Sequence, residues 1–148
     1  FPRSQGIACD LSWKAFRVAA RNSEGLGVED RITFIQGDGL LGFEKESFDV
    51  IFSNPPYVAS RDWDHLEPEV QREPRLALDG GVEGLDFYHR IFEGLSCLKR
   101  GGSLWVEVGF GEAEAGKSLF ESRGFAQVRI FKDLNGIDRV IAGIGLNG

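Results

Sequence analysis

The chain has 148 residues, 42% of them hydrophobic and 27% charged, with a formal net charge of −6. That length suits one domain able to bury a core, and the acidic balance argues against non-specific affinity for nucleic acid, whose binding proteins present a basic face. No run is long and apolar enough to span a membrane, no signal peptide is visible, and Cys9 and Cys97, both in apolar contexts, read as buried free thiols of a cytoplasmic protein rather than as metal ligands.

Gly6–Asp10 reads as a short strand ending in a carboxylate. Ser12 is placed to cap a helix whose spacing brings Ala15, Phe16, Val18, Ala19 and Asn22 together, stopped by Gly25 or Gly27. An acidic residue at such a strand end either accepts from a ribose hydroxyl or serves the following helix N-terminus, and Asp10 fits both roles. Arg31–Gln36 is the next strand, followed by Gly37-Asp38-Gly39. Asp38 is either an acceptor for an adenine amino group or a turn residue.

Phe48–Ser53 is a short apolar run rich in β-branched and aromatic residues, the pattern of a parallel strand buried on both faces. Asp49 opens it. Asn54-Pro55-Pro56-Tyr57 then ends the ladder, because neither proline can donate a backbone hydrogen bond. Asn54 thus sits at the carboxyl end of a strand, the edge where ligands bind in open α/β sheets. The side-chain oxygen of Asn54 and a proline carbonyl can receive the two hydrogens of a planar –NH2 group, and Tyr57 offers a flat face to pack on it. Such a grip suits a poor amide or aromatic-amine nucleophile, since it aims the nitrogen lone pair at an electrophile. A Pro-Pro turn with Asn54 as its cap is the structural alternative.

Val58 to Gly84 is long, polar and without clear periodicity, as expected of a substrate wall or lid. Glu67 and Glu69 read as solvated, Glu73 as a further carboxylate open to pairing, and His65 as a loop histidine without a metal or acid–base partner. Asp86 is placed to cap a helix with a core stripe of Tyr88, Ile91, Phe92, Leu95 and Leu98; Lys99-Arg100-Gly101-Gly102 would supply its basic end and a turn. Ser103–Val108 is a strand in which the charged Glu107 is either paired at a sheet edge or faces a pocket. A helix from about Glu112 to Arg123, a half-buried strand Ala126–Phe131, an Asn135-Gly136 turn and a last strand Asp138–Ile144 complete the chain. Alternating strands and helices closed by a hairpin indicate an α/β sandwich with one antiparallel strand.

From Gly6 to Ile144 the sequence resembles the C-terminal part of the catalytic domain of the HemK/PrmC family, protein-(glutamine-N5) methyltransferases that act on peptide-chain release factors. The resemblance rests on Asp10 with the helix after it; on Asn54-Pro55-Pro56-Tyr57; on Glu73-Pro74, Ala77-Leu78, Gly80-Gly81 and Gly84-Leu85; and on Asp133 with Asp138-Arg139-Val140. The four-residue motif alone is shared with nucleic-acid amino methyltransferases, whereas the Glu-Pro to Gly-Leu stretch is narrower. The resemblance implies a Rossmann-like class I fold that uses S-adenosylmethionine, a mostly parallel sheet and a C-terminal antiparallel hairpin, in a single catalytic domain over 1–148. It implies that Asn54 and Pro55 orient the glutamine amide, with Pro56 and Tyr57 completing the substrate contact. Asp10 would hold the cofactor ribose, Asp38 and Gly39 would border the adenine, Asn54 would also touch the cofactor, and no metal would be needed. The family's first strand and Gly-rich loop have no counterpart here, so the sheet is expected to have a gap. The absence of methionine also reads as a fragment of a longer enzyme.

Two other readings use the same residues. A nucleic-acid amino methyltransferase would flip a base into this corner and would want a basic cleft, against which the acidic balance counts. A truncated fold that packs with another chain would bind no cofactor.

Overall fold

The computed structural model describes residues 3–147, which divide between Leu41 and Gly42 into two compact units. The first is a layer of two parallel strands and one helix. Strands β1 (Gly6–Asp10) and β2 (Ile32–Gln36) pair from Gly6 opposite Ile32 to Asp10 opposite Gln36. Helix α1 (Trp13–Gly25) joins them, and Ser12 caps it by accepting the Ala15 N–H at 3.3 Å. The expected stripe on α1 is narrower than its spacing suggested: Phe16 and Ser23 are buried, while Ala15, Val18 and Asn22 are exposed. A two-stranded layer covers only a thin face of a helix. Phe16 packs on Phe34 edge-on, with ring centroids 5.7 Å apart.

The second unit holds strands β3 (Phe48–Ser53), β4 (Leu98–Glu107), β5 (Phe125–Lys132) and β6 (Asp138–Leu146) in the order β3-β4-β6-β5. β3 runs parallel to β4, and β6 is antiparallel to both of its neighbours, as the alternation of elements and the final turn predicted. Short helix α2 (Arg75–Leu78) lies in the stretch expected to be a loop. Helices α3 (Asp86–Glu93) and α4 (Ala113–Glu121) accompany the sheet. The six strands form two sheets, one pair and one group of four, with no ladder joining them among the described residues.

Much of the core lies on one face of β4. Leu104, Val106 and Val108 are fully buried and alternate along the chain with the half-buried Ser103, Trp105 and Glu107. Tyr88, Ile91 and Phe92 of α3 and Phe120 of α4 join that core; Phe120 meets Phe92 edge-on at 5.3 Å and stacks on Phe125 at 5.6 Å. Each such aliphatic or aromatic side chain contributes roughly 1.5–3 kcal/mol by leaving water.

β3 departs from expectation here. It was expected to be buried on both faces, yet among its residues Ile51 alone is buried and Phe52 is 75% exposed. Phe52, Trp105 and Phe131 form a row of rings on the more open face, at 6.2 Å and 5.3 Å between successive centroids.

Four smaller expectations also change. Lys99-Arg100-Gly101-Gly102 lie inside β4 rather than at a helix end, because the helix stops at Glu93 and Leu98 already pairs with Phe48. The extra residues are taken up by a register shift between Phe48 and Val50. Lys99 reaches the exposed Asp49 at 2.9 Å. Leu85, not Asp86, is the cap of α3, and Cys9 is half-buried while Cys97 is buried.

Candidate functional site

The corner after β3 is built from the strand outward. β3 ends at Ser53, and Asn54 then stands exposed while Pro55 is buried and Pro56 and Tyr57 are half-buried. Burial of Pro55 fixes the turn, and its rigid ring leaves the backbone few alternatives. The Asn54 side chain makes no hydrogen bond among the described residues. An amide that caps its own turn would spend its oxygen there; this one keeps both donors and its acceptor available.

What locks the corner comes from the stretch expected to be a wall or lid. Val58 bridges Asp79 in a parallel pairing: the Val58 N–H donates to the Leu78 carbonyl and the Gly80 N–H donates to the Val58 carbonyl, each at 2.8 Å. Ser60 N–H donates to the Gly81 carbonyl at 2.8 Å. Asp79 ties this strap together. Its carboxylate accepts from the Ser60 hydroxyl at 2.6 Å, from Arg75 Nε at 2.9 Å and from the Gly81 N–H at 3.1 Å. These bonds, that of Ser60 first, hold its carboxyl below the usual carboxylate range. Arg75 also lies over the Trp63 ring, 5.1 Å from its centroid.

The glycines of this strap are explained by contact as well as by conformation. A Cβ on Gly80 would come within 2.8 Å of the Pro56 carbonyl oxygen. One on Gly84, whose φ is +78°, would come within 2.5 Å of the Tyr57 carbonyl oxygen. The strap therefore rests directly on the backbone of the Pro-Pro-Tyr segment. Sequence reasoning missed Asp79 as the hub; its signal was an acidic residue immediately before Gly80-Gly81, the pattern of a turn carboxylate that collects N–H groups. Glu67, Glu69, Glu73 and His65 are all exposed, and among the described residues no group of three or more His, Cys, Asp or Glu is placed to hold a metal ion.

The other predicted residues belong to the first unit. Asp10 is exposed at the end of β1, and its Oδ1 accepts the Ser12 N–H at 2.6 Å, so the helix-serving role holds. The Gly37 N–H donates to the Asp10 carbonyl at 3.2 Å, and Gln36 Nε2 to the Leu11 carbonyl at 3.0 Å, which draws the two strand ends together. Burial, then the charges of Asp10 and of Asp38, push the Cys9 thiol up, so both carboxylates act on that one thiol. Gly39 has φ +60°, and a Cβ there would meet nothing within 4 Å. The strand ends thus present two carboxylates and an uncrowded glycine, a set suited to hydroxyl and amino donors.

Comparison with known proteins decides the kinship. A family profile described as "RMKL-like, methyltransferase domain" matches residues 2–65, less than half of the chain. Over 97% of its length the chain is 42% identical to a release factor glutamine methyltransferase of Caulobacter vibrioides, covering 50% of that protein. Over nearly its whole length, the chain is similar in sequence to release factor glutamine methyltransferases. It spans about half the length of the curated relatives it matches.

Solved structures agree on the fold. The crystal structure of the hMettl16 catalytic domain in complex with the MAT2A 3'UTR hairpin 6 superimposes with a TM-score of 0.67 at 17% identity, over 95% of this chain and 57% of that one. A protein-(glutamine-N5) methyltransferase from Alicyclobacillus acidocaldarius does so with a TM-score of 0.50 at 24% identity, over 97% of this chain and 81% of that one. The fold is that of the Rossmann-like methyltransferases.

Proposed function

We propose that this chain is the C-terminal part of the catalytic domain of an enzyme that transfers a methyl group from S-adenosylmethionine to the side-chain nitrogen of a glutamine in a peptide-chain release factor. The observation that carries the reading is the Asn54 side chain, exposed and unpartnered on a backbone corner that a separate strap holds still. What the curated relatives are called supports the substrate.

Asn54 Oδ1 and the Pro55 carbonyl accept one N–H each from the substrate amide, and Tyr57 packs on its plane. The carbonyl acceptors strengthen as the nitrogen becomes positive, so their contribution falls on the transition state rather than on binding. Most of the remaining rate comes from holding the nitrogen in line. The nitrogen then gives up one proton to solvent. The donor set at the ends of β1 and β2 fits the cofactor: Asp10 accepts from the ribose hydroxyls, and Asp38 with Gly39 borders the adenine. Bound there, S-adenosylmethionine supplies an electrophilic methyl group on a sulfonium.

The test is transfer of labelled methyl by the longer protein that carries this chain, offered a peptide with a Gly-Gly-Gln loop, DNA and RNA in parallel. Label on the glutamine is expected. Preference for a nucleic acid would replace the reading with an exocyclic-amine methyltransferase. Calorimetry with S-adenosylhomocysteine, on that protein and on the 148-residue chain, separates loss of cofactor binding from loss of chemistry.

A further inference from the structure

After β4 the chain turns through Val108-Gly109-Phe110-Gly111 into α4, and the residue before α4 is Glu112. A glutamate here has open solvent available, yet its side chain folds back. Its Oε2 accepts the Gly109 N–H at 3.1 Å, and the residue is half-buried. Burial raises its carboxyl above the usual carboxylate range, against the opposing pull of the Gly109 N–H. A position that costs desolvation needs a compensating contact, and two glycines reveal where it lies.

A Cβ on Gly109 would come within 3.0 Å of Glu112 Oε2 and equally close to Tyr57 Cδ2. A Cβ on Gly84 would come within 2.9 Å of Glu112 Oε1 and 2.5 Å of the Tyr57 carbonyl oxygen. One carboxyl oxygen of Glu112 and the Tyr57 ring thus border the space at Gly109, and the other oxygen and the Tyr57 carbonyl border the space at Gly84, neither of which has room for a side chain. Tyr88, only 1% exposed, has a hydroxyl with no hydrogen-bond partner among the described residues, and burial, then the charge of Glu112, raises its pKa.

We propose that Glu112 is a positioning residue for the Asn54-Pro55-Pro56-Tyr57 corner. It clamps the Gly109 N–H, fills the space beside Gly84, and so fixes the backbone and ring of Tyr57, and with them the proline carbonyls that receive the substrate amide. The role needs an acceptor of this shape and not a charge, so a neutral glutamine serves in its place. The proposal rests on the methyl-transfer reading for its consequence in turnover, but not for the clamp itself.

The test compares Glu112→Gln, Glu112→Ala and Glu112→Leu in the longer protein that carries this chain. The readouts are kcat and KM with a Gly-Gly-Gln peptide, Kd for S-adenosylhomocysteine, and amide exchange at Gly109, Val58 and Gly80. E112A is expected to lower kcat by about 10- to 100-fold, the scale of a misplacement near 1 Å, with the Kd within about twofold and faster exchange at all three amides. E112L, which keeps bulk without an acceptor, follows E112A and stands in for it if E112A does not fold. E112Q stays within about threefold of wild type in kcat, which a need for charge would not allow. Wild-type kcat in E112A, a loss in E112Q equal to that in E112A, or a kcat loss that tracks cofactor affinity overturns the proposal. If the wild type itself leaves the peptide untouched, the methyl-transfer reading fails. The exchange data then decide the clamp: protection lost in E112A and kept in E112Q supports it, and unchanged protection removes it.

Discussion

The two units stabilise their predicted site residues in opposite ways. In the first, Phe16 is the buried apolar side chain among the described residues, and the carboxylates Asp10 and Asp38 stand at the ends of a two-strand layer. In the second, buried apolar side chains of β4, β6, α3 and α4 form the core, and the Asn54 corner is pinned by at least three backbone hydrogen bonds to the strap around Asp79. The proposed labour differs accordingly. Gripping a planar amide for in-line attack demands geometric accuracy, which dense packing supplies. Accepting hydrogen bonds from hydroxyls tolerates a softer support.

The sharpest way to break that contrast is at Asn54. Asn54→Ala is expected to cut methyl transfer by about 10²- to 10³-fold, the scale of one preorganised hydrogen-bonding group, while calorimetry finds cofactor affinity unchanged. Retained turnover would mean that the corner is scaffold only. Next come two glycines with similar backbones and different surroundings. Gly84→Ala meets the Tyr57 carbonyl oxygen and should destabilise by about 3 kcal/mol or more in denaturant unfolding. Gly39→Ala meets nothing and should cost only the ~1–2 kcal/mol of a left-handed residue. Equal losses would erase the difference between the units.

Hydrogen exchange gives a third comparison. Amides of β1 and β2 should exchange at least about tenfold faster than those of β4 and β6, since local opening follows buried contact. The smallest effect concerns acid. The Asp79 carboxyl is held low in the fold, so its contribution is present at neutral pH and lost as pH falls below about 4 and through its folded value. Asp79→Asn should therefore lower Tm most near pH 7, with the gap to wild type closing toward pH 3. Asp133, lowered first by the Ile137 N–H, keeps part of the acid limb in that variant.

Much of this was legible from residues. Every strand was visible in its apolar run, the antiparallel hairpin in Asn135-Gly136, and the exposed corner in two consecutive prolines. The failures share a cause, which is that periodicity states what a face can bury and not whether anything covers it. Val18 on α1 and Phe52 on β3 read as core and stand exposed. Residues 58–84 read as a loop because short helices and single bridges leave no period; their order comes from Asp79 and from glycines that fit against a distant turn. Glu112 was visible only as a helix start. Its inward fold depends on Gly84 and Gly109, which no local window connects.

One consequence follows from the close fit of Gly80 and Gly84 against the Pro56 and Tyr57 carbonyls. The strap that supplies this latch arrives some twenty-five residues after Asn54, so changes far from Asn54 along the chain will surface as errors of aim rather than as unfolding.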